Sequence, residues 1–255
     1  FEICSLSLLF KCWKDMIEEI SKYNFWNGNI PESGFLRAEY TNKIHSSLGN
    51  NLVKVLVGQR RAGKSFVLRQ LAKQLLDSGV PAQNIWYINT EYLEFGGLKT
   101  VSDLQSLYQE YRDKLQPDGR IYLFLDEIQQ VKDWERFVNS HSQDFVESKE
   151  IFISGSNSDL LSGELASLLS GRYVEFEILP YSFKEYVDMQ HLEANRENYI
   201  RFLQMGMLPE LFHLQTEEVR RHYVSAIKDT VMLRDIVHRY KVKDSLLLDE
   251  LFRYI

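Results

Sequence analysis

Leu52-Val53-Lys54-Val55-Leu56-Val57 runs directly into Gly58-Gln59-Arg60-Arg61-Ala62-Gly63-Lys64-Ser65, and the reading of this stretch decides the fold. The second part fits G-x-x-x-x-G-K-[ST] at every fixed position. At average residue usage, a chain of 255 residues matches that pattern by chance on the order of one time in a hundred. The apolar run before it reads as a buried strand. After it, Val67, Leu68, Leu71, Ala72, Leu75 and Leu76 recur at helical spacing, and Gly79 is placed to stop the helix. Strand, glycine loop and helix are the order that phosphate binding needs. Backbone N–H groups of the loop curl around the anion, and the helix N-terminus adds partial positive charge. In such a motif Lys64 reaches the β- and γ-phosphates and the Ser65 hydroxyl ligates Mg²⁺. The pattern implies a site for a nucleoside triphosphate.

Ile121-Tyr122-Leu123-Phe124-Leu125-Asp126-Glu127 supplies the other half of such a site. An apolar strand ending in two acids delivers both carboxylates to the edge of a sheet where ligands bind in open α/β folds. Asp126 is the candidate to hold Mg²⁺ through its water shell, and Glu127 the candidate base for an attacking water. A third strand, Ile151 to Ser154, runs into Gly155-Ser156-Asn157-Ser158. There Asn157, or less directly Ser156, could touch a γ-phosphate or the lytic water; a plain turn with a helix cap uses the same residue types. Arg172, just before the run Tyr173–Leu179, either stabilises phosphate charge in a neighbouring subunit's site or pairs with an acid such as Glu175. Arg60 and Arg61 either add charge beside the phosphates or face solvent.

Five apolar runs are expected as strands: Leu52–Val57, Ile85–Asn89, Ile121–Leu125, Ile151–Ser154 and Tyr173–Leu179. Four are almost continuously apolar, as in a parallel sheet covered on both faces. Helical stripes alternate with them. Leu104, Leu107, Tyr108, Tyr111 and Leu115 form one, with Ser102 the expected N-cap; Trp134, Phe137, Val138 and His141 form another; Leu161, Leu165, Leu168 and Leu169 form a third, capped by Asp159. The alternation predicts an α/β fold. After Pro180, Ser182-Phe183-Lys184-Glu185 reads as a capping box, and only helical periodicity follows. The expected division is an N-terminal segment 1–36, a sheet domain 37–179 and a smaller all-α lid region 180–255.

Composition narrows the function class. The chain is 44% hydrophobic and 26% charged, with a net charge of -6, so no global basic field points to nucleic acid. The basic residues around Arg220, Arg221, Arg234 and Arg239 are interleaved with acids, as on a solvated helix face. Cys4 and Cys12 show neither disulfide-framework nor zinc spacing and suit a reducing cytoplasm. The apolar stretch Ile3 to Phe10 is too short to span a bilayer. Phe1 is not a translation start, so residues 1–15 are expected to be upstream or non-native sequence. The uncapped stripe Leu247, Leu251, Phe252 and Ile255 leads to the expectation that the natural protein continues.

The segments GQRRAGKS, YLFLDEIQ, FISGSNSDLLSG, LSGRYVEFEILPYSFKEY and GMLPELF, in that order and spacing, resemble the prokaryotic predicted ATPases of the AAA+ superfamily, from about Arg37 onward. In that family a P-loop core precedes a winged-helix segment and a further C-terminal domain. The resemblance implies ATP and Mg²⁺ as ligands, Asp126 with Glu127 as metal holder and base, Asn157 as sensor and Arg172 as arginine finger. A homo-oligomer with shared sites and a DNA or protein client reached through a C-terminal region are also expected, with no membrane role. The stretch Asp235-Ile236-Val237-His238-Arg239-Tyr240 looks like the family's lead-in to its winged helix. No residue stands out as a second sensor arginine. Two functions follow as expectations: an ATP-hydrolysing enzyme, favoured by Glu127, or a slow-turnover switch that binds ATP to set an assembly state. A small-molecule kinase lacks a marked acceptor pocket. A GTPase lacks a guanine-reading motif after the loop.

Overall fold

The computed structural model describes residues 16–155, 167, 169–231, 236–237, 241–242 and 245–254. The chain divides into two compact units, Phe1–Pro180 and Tyr181–Ile255. The first is built on five parallel strands, β1 (Val53–Val57), β2 (Ile85–Asn89), β3 (Ile121–Asp126), β4 (Lys149–Ser154) and β5 (Tyr173–Glu177), in the order β2-β3-β4-β1-β5. The glycine-loop strand β1 therefore lies between β4 and β5, with β3 one strand further on. The expected five-stranded parallel α/β sheet is present.

Side-chain alternation splits the sheet's residues between two cores. On one face Val55, Trp86, Leu123 and Ile151 pack with Leu104, Leu107, Tyr108 and Tyr111 of α3 (Val101–Leu115) and with Phe137 and Val138 of α4 (Trp134–Ser142). On the other, Leu56, Tyr87, Phe124 and Phe152 meet Ile44 of α1 (Ala38–His45) and Val67, Leu68, Leu71 and Leu75 of α2 (Lys64–Asp77). The expected Gly79 stop is seen in the backbone. Gly79 takes φ +94°, and Val80 N–H donates back to Leu75 O at 3.1 Å, closing the end of α2.

Three local expectations need correction. The N-cap of α3 is Thr100, not Ser102: Thr100 Oγ1 accepts from Asp103 N–H, and the Asp103 carboxylate accepts from Thr100 N–H. Ser102 lies inside the first turn, where its hydroxyl cannot do this. β4 starts at Lys149 rather than Ile151. Lys149 and Glu150 are buried because each has a counter-charge: Lys149 meets Asp144 at 2.5 Å, and Glu150 pairs with Lys54. β5 ends at Glu177, two residues short of Leu179.

Among its described residues the second unit is helical, with α5 (Phe183–Gln190), α6 (Arg196–Met205), α7 (Glu217–Thr230), α8 (Ser245–Tyr254) and a 3-10 turn at Pro209–His213. The Ser182–Glu185 capping box forms as expected. Its small core is aromatic, Tyr186 lying 5.4 Å from Phe202 and 5.2 Å from Phe212 between ring centroids. Helix α7 buries no residue and carries an Arg221–Glu217 pair at 2.6 Å, in keeping with a solvated face. No described helix is long and apolar enough to cross a membrane.

Candidate nucleotide site

The loop's first glycine is required by its neighbour. The chain leaving β5 stays alongside β1, and Ile178 N–H donates to Val57 O at 2.7 Å. At Gly58, φ is +148° and an added Cβ would stand 2.2 Å from Ile178 O, so no side chain fits. The chain then turns through exposed Gln59, half-buried Arg60 and exposed Arg61 (φ +68°) to buried Ala62. Gly63, at φ +98°, is the N-cap of α2 and accepts from Val67 N–H at 3.0 Å. Lys64 folds back over the loop, Nζ donating to Gly58 O at 2.9 Å and Gln59 O at 3.1 Å. Only 5% of Lys64 is exposed. Burial lowers its pKa, opposed by the charges of Glu127 and Asp126. Ser65 is half-buried in the first helical turn, and Arg60 stands 3.7 Å from Glu91 beyond the end of β2.

The second half of the site assembles from three other strand ends. Asp126 closes β3 with no exposure. Its Oδ2 accepts from Tyr87 Oη at 2.7 Å and from Asn89 Nδ2 at 2.8 Å, and its Oδ1 accepts from Ser154 Oγ. Burial and the Asp126 charge push the Tyr87 phenol well above its ordinary pKa, so it stays a donor. Glu127 takes a left-handed conformation, φ 53° and ψ 38°. Three side-chain partners hold it: its N–H donates to Ser154 Oγ at 3.4 Å, its carbonyl accepts from Thr90 Oγ1, and its Oε2 accepts from Gln129 Nε2 at 2.6 Å. Burial raises the Glu127 pKa, the Gln129 hydrogen bond opposes that, and the neighbouring Asp126 charge adds to it. The carboxyl is biased toward accepting a proton.

Lys64, Asp126 and Glu127 are thus brought to one sheet edge, close enough that Lys64 feels both carboxylates. Arg172 is at the other edge. It is exposed, its carbonyl accepts from Val53 N–H at 3.0 Å beside the start of β1, and no ion pair joins it to Glu175 or to another described acid. Ser156 and Asn157 lie outside the described residues, as do Asp159, Leu161, Leu165 and Leu168 of the helix expected there; Leu169, the last of that stripe, is buried. Sequence reasoning missed Tyr87, Asn89, Thr90, Ser154 and Gln129. Asn89 and Ser154 carried a signal: each is a polar residue ending an apolar strand beside the acid pair.

A hard divalent cation fits the donor set. The Ser65 hydroxyl and the Asp126 and Glu127 carboxylates supply oxygen only. Among the described residues no cluster of three or more His, Cys, Asp or Glu forms an all-protein metal cage. Mg²⁺ suits such a site, since it keeps water and takes its remaining ligands from phosphates.

The model of the AAA domain family matches residues 50–187. An uncharacterized protein of Haemophilus influenzae is 36% identical over 223 residues, covering 86% of this chain and 54% of that protein. An uncharacterized protein of Methanocaldococcus jannaschii is 30% identical over 213 residues, covering 79% and 45%. The chain therefore spans about half the length of the curated relatives it matches. Among solved structures, the replication initiator DnaA bound to AMPPCP and single-stranded DNA is similar with a TM-score of 0.46 and 18% identity, over 86% of this chain and 74% of that one.

Proposed function

Because the chain belongs to the AAA domain family, we propose that it binds Mg·ATP in the loop Gly58–Ser65 and hydrolyses it to ADP and phosphate, using the cycle to drive a conformational change. The observation that carries this reading is the convergence of buried Lys64 with Asp126 and Glu127 at one sheet edge. Lys64 is the cation for the β- and γ-phosphates, in place of the loop carbonyls it now holds. Ser65 and Asp126 would hold Mg²⁺, which when bound offsets charge on the phosphate oxygens. Glu127 would take the proton of the attacking water, a task that its burial favours. Asn157 as γ-phosphate sensor and Arg172 as a finger acting on a neighbouring copy complete the proposal. The position of Arg172 at the far edge supports action in trans, within a homo-oligomer. DNA or protein as client and a reducing, ATP-supplied cytoplasm as compartment belong to the same reading.

The slow-turnover switch is favoured by one feature, the hydrogen bond that ties Glu127 to Gln129. Single-turnover hydrolysis by purified protein separates the two, since the enzyme releases phosphate on the timescale of its conformational cycle and the switch does not. The nucleotide assignment itself is tested by Lys64→Ala with a fluorescent ATP analogue and Mg²⁺. Binding should be lost. Affinity within about threefold of wild type, less than roughly 0.7 kcal/mol, rejects the assignment.

A further inference from the structure

The segment before α1 is fastened to the back of the phosphate loop. Gln70 of α2, 3% exposed, accepts from Arg37 N–H at 3.0 Å and donates through Nε2 to Ser33 O at 2.6 Å and Phe35 O at 2.7 Å. Arg37 itself is only 2% exposed. Its Nη1 donates to Ala62 O at 3.0 Å and Leu179 O at 2.8 Å, its Nη2 to Pro180 O at 3.3 Å, and its guanidinium lies 4.5 Å from the Tyr40 ring centroid. A buried guanidinium thus joins the loop to the chain leaving β5. Arg37 also precedes the residues that the family model matches.

One of these bonds has a direct geometric consequence. In a trans peptide the C=O and the following N–H point in opposite directions. Fixing Ala62 O on Arg37 therefore aims the Gly63 N–H away from the guanidinium. Gly63 has φ +98° and no Cβ to resist rotation of that plane, so an external restraint decides its orientation. We propose that Arg37 is a positioning residue for phosphate binding: by holding the Ala62–Gly63 peptide plane, it presents the Gly63 N–H to the β-phosphate. The proposal rests on the nucleotide reading above.

Arg37→Lys keeps the cation but cannot span the Ala62 and Leu179 carbonyls with a planar fork, and Arg37→Met removes the donors altogether. Both are titrated with ADP and, separately, with pyrophosphate in EDTA by calorimetry, below each variant's melting point. The Gly63 amide resonance is followed in parallel. Affinity for both ligands should fall on the order of tenfold to a hundredfold, the scale of one lost charge-assisted hydrogen bond. The ligand-induced shift of Gly63 seen in wild type should shrink. Arg37→Lys carries the test if Arg37→Met does not fold. A lower melting point with wild-type affinity for both ligands overturns the proposal and leaves Arg37 a stability residue. Loss confined to ADP also overturns it, because the effect would then lie at the nucleoside. Binding of neither ligand to the wild-type chain also overturns this proposal, and if the fluorescent ATP analogue with Mg²⁺ does not bind either, the nucleotide reading has failed before it.

Discussion

Asn89 and Asp126 face each other in register across β2 and β3, and the Asn89 amide donates to the Asp126 carboxylate at 2.8 Å. With Tyr87 from β2 and Ser154 from β4, this makes three side-chain donors on a carboxylate that has no exposure to water. A buried carboxylate without such donors is strongly disfavoured. The network fixes the aim of Asp126 before any ligand arrives, and Ser154 extends it to Glu127 by accepting that residue's N–H.

Tyr87→Phe removes one of these donors and little volume. A hydrogen bond to a charged group contributes about 1.5–3 kcal/mol, so the variant should lose about that much unfolding free energy and unfold at lower denaturant with an unchanged slope. Asn89 and Ser154 still hold Asp126, so ATP affinity should change far less than stability. Denaturant melts of wild type and variant check the first statement, and nucleotide titration checks the second. Wild-type stability would mean that the Tyr87–Asp126 bond adds nothing.

Much of this was legible in sequence because the strands declare themselves. Ile85–Asn89 is an uninterrupted apolar run to its last residue, and the loop after β1 has one permitted reading. What hid from view depends on partners that the spacing of residues in the chain does not reveal. Lys149 and Glu150 look like loop residues until Asp144 and Lys54 are placed beside them. Arg37 looks like any arginine before a helix, because its acceptors are backbone carbonyls 25 and 142 residues away, and a carbonyl carries no sequence signature. Tyr87 reads as one more core aromatic. Only the β2–β3 register shows that its hydroxyl meets Asp126. Thr100 and Ser102 are equivalent as capping types, and the reciprocal bond from Asp103 decides between them.

Stability should fall with acid through one identifiable histidine. His141 lies against Phe137 and Tyr108, ring centroids 4.2 and 4.6 Å away, with Nε2 3.0 Å from Gln105 Oε1. Burial first, and the Lys149 charge second, lower its pKa to about 4, against the usual 6.5. Between those values the unfolded chain binds a proton that the folded chain does not. Its contribution is therefore present above pH ~6.5 and is lost as pH falls toward 4. Allowing for partial exposure, the loss is roughly 2 kcal/mol. His141→Gln should flatten the stability profile across that window, as denaturant midpoints at a series of pH values would show. An unchanged slope assigns the acid sensitivity elsewhere.

Arg172→Ala should leave ATP affinity nearly intact, since the residue sits at the edge of the sheet opposite the phosphate loop. In an assembly with shared sites it should lower turnover. Mixing it with Glu127→Gln chains tests the sharing, because one mixed interface regains an intact Glu127 and an intact Arg172. Partial recovery of activity is expected. No recovery, in mixtures shown to co-assemble, would leave Arg172 a solvent-facing residue with no part in hydrolysis.

Glu127→Gln decides the mechanism. Glutamine matches the shape of glutamate and can still hydrogen-bond a water, but it cannot take that water's proton. The loop, Lys64, Ser65 and Asp126 are untouched, so Mg·ATP binding should persist. Loss of one positioned general base typically costs about 10² to 10⁴ in rate, or roughly 3–5 kcal/mol of barrier. The change also removes an ionisable group that burial biases toward the protonated state, relieving a small desolvation cost in the folded chain. The variant should therefore fold at least as stably as wild type, hold ATP, and hydrolyse it near the background rate. Rapid-quench single turnovers measure this directly. Hydrolysis at the wild-type rate would reduce Glu127 to a carboxylate that follows β3 and hydrogen-bonds Gln129, and the slow-turnover switch would then be the better account of the chain.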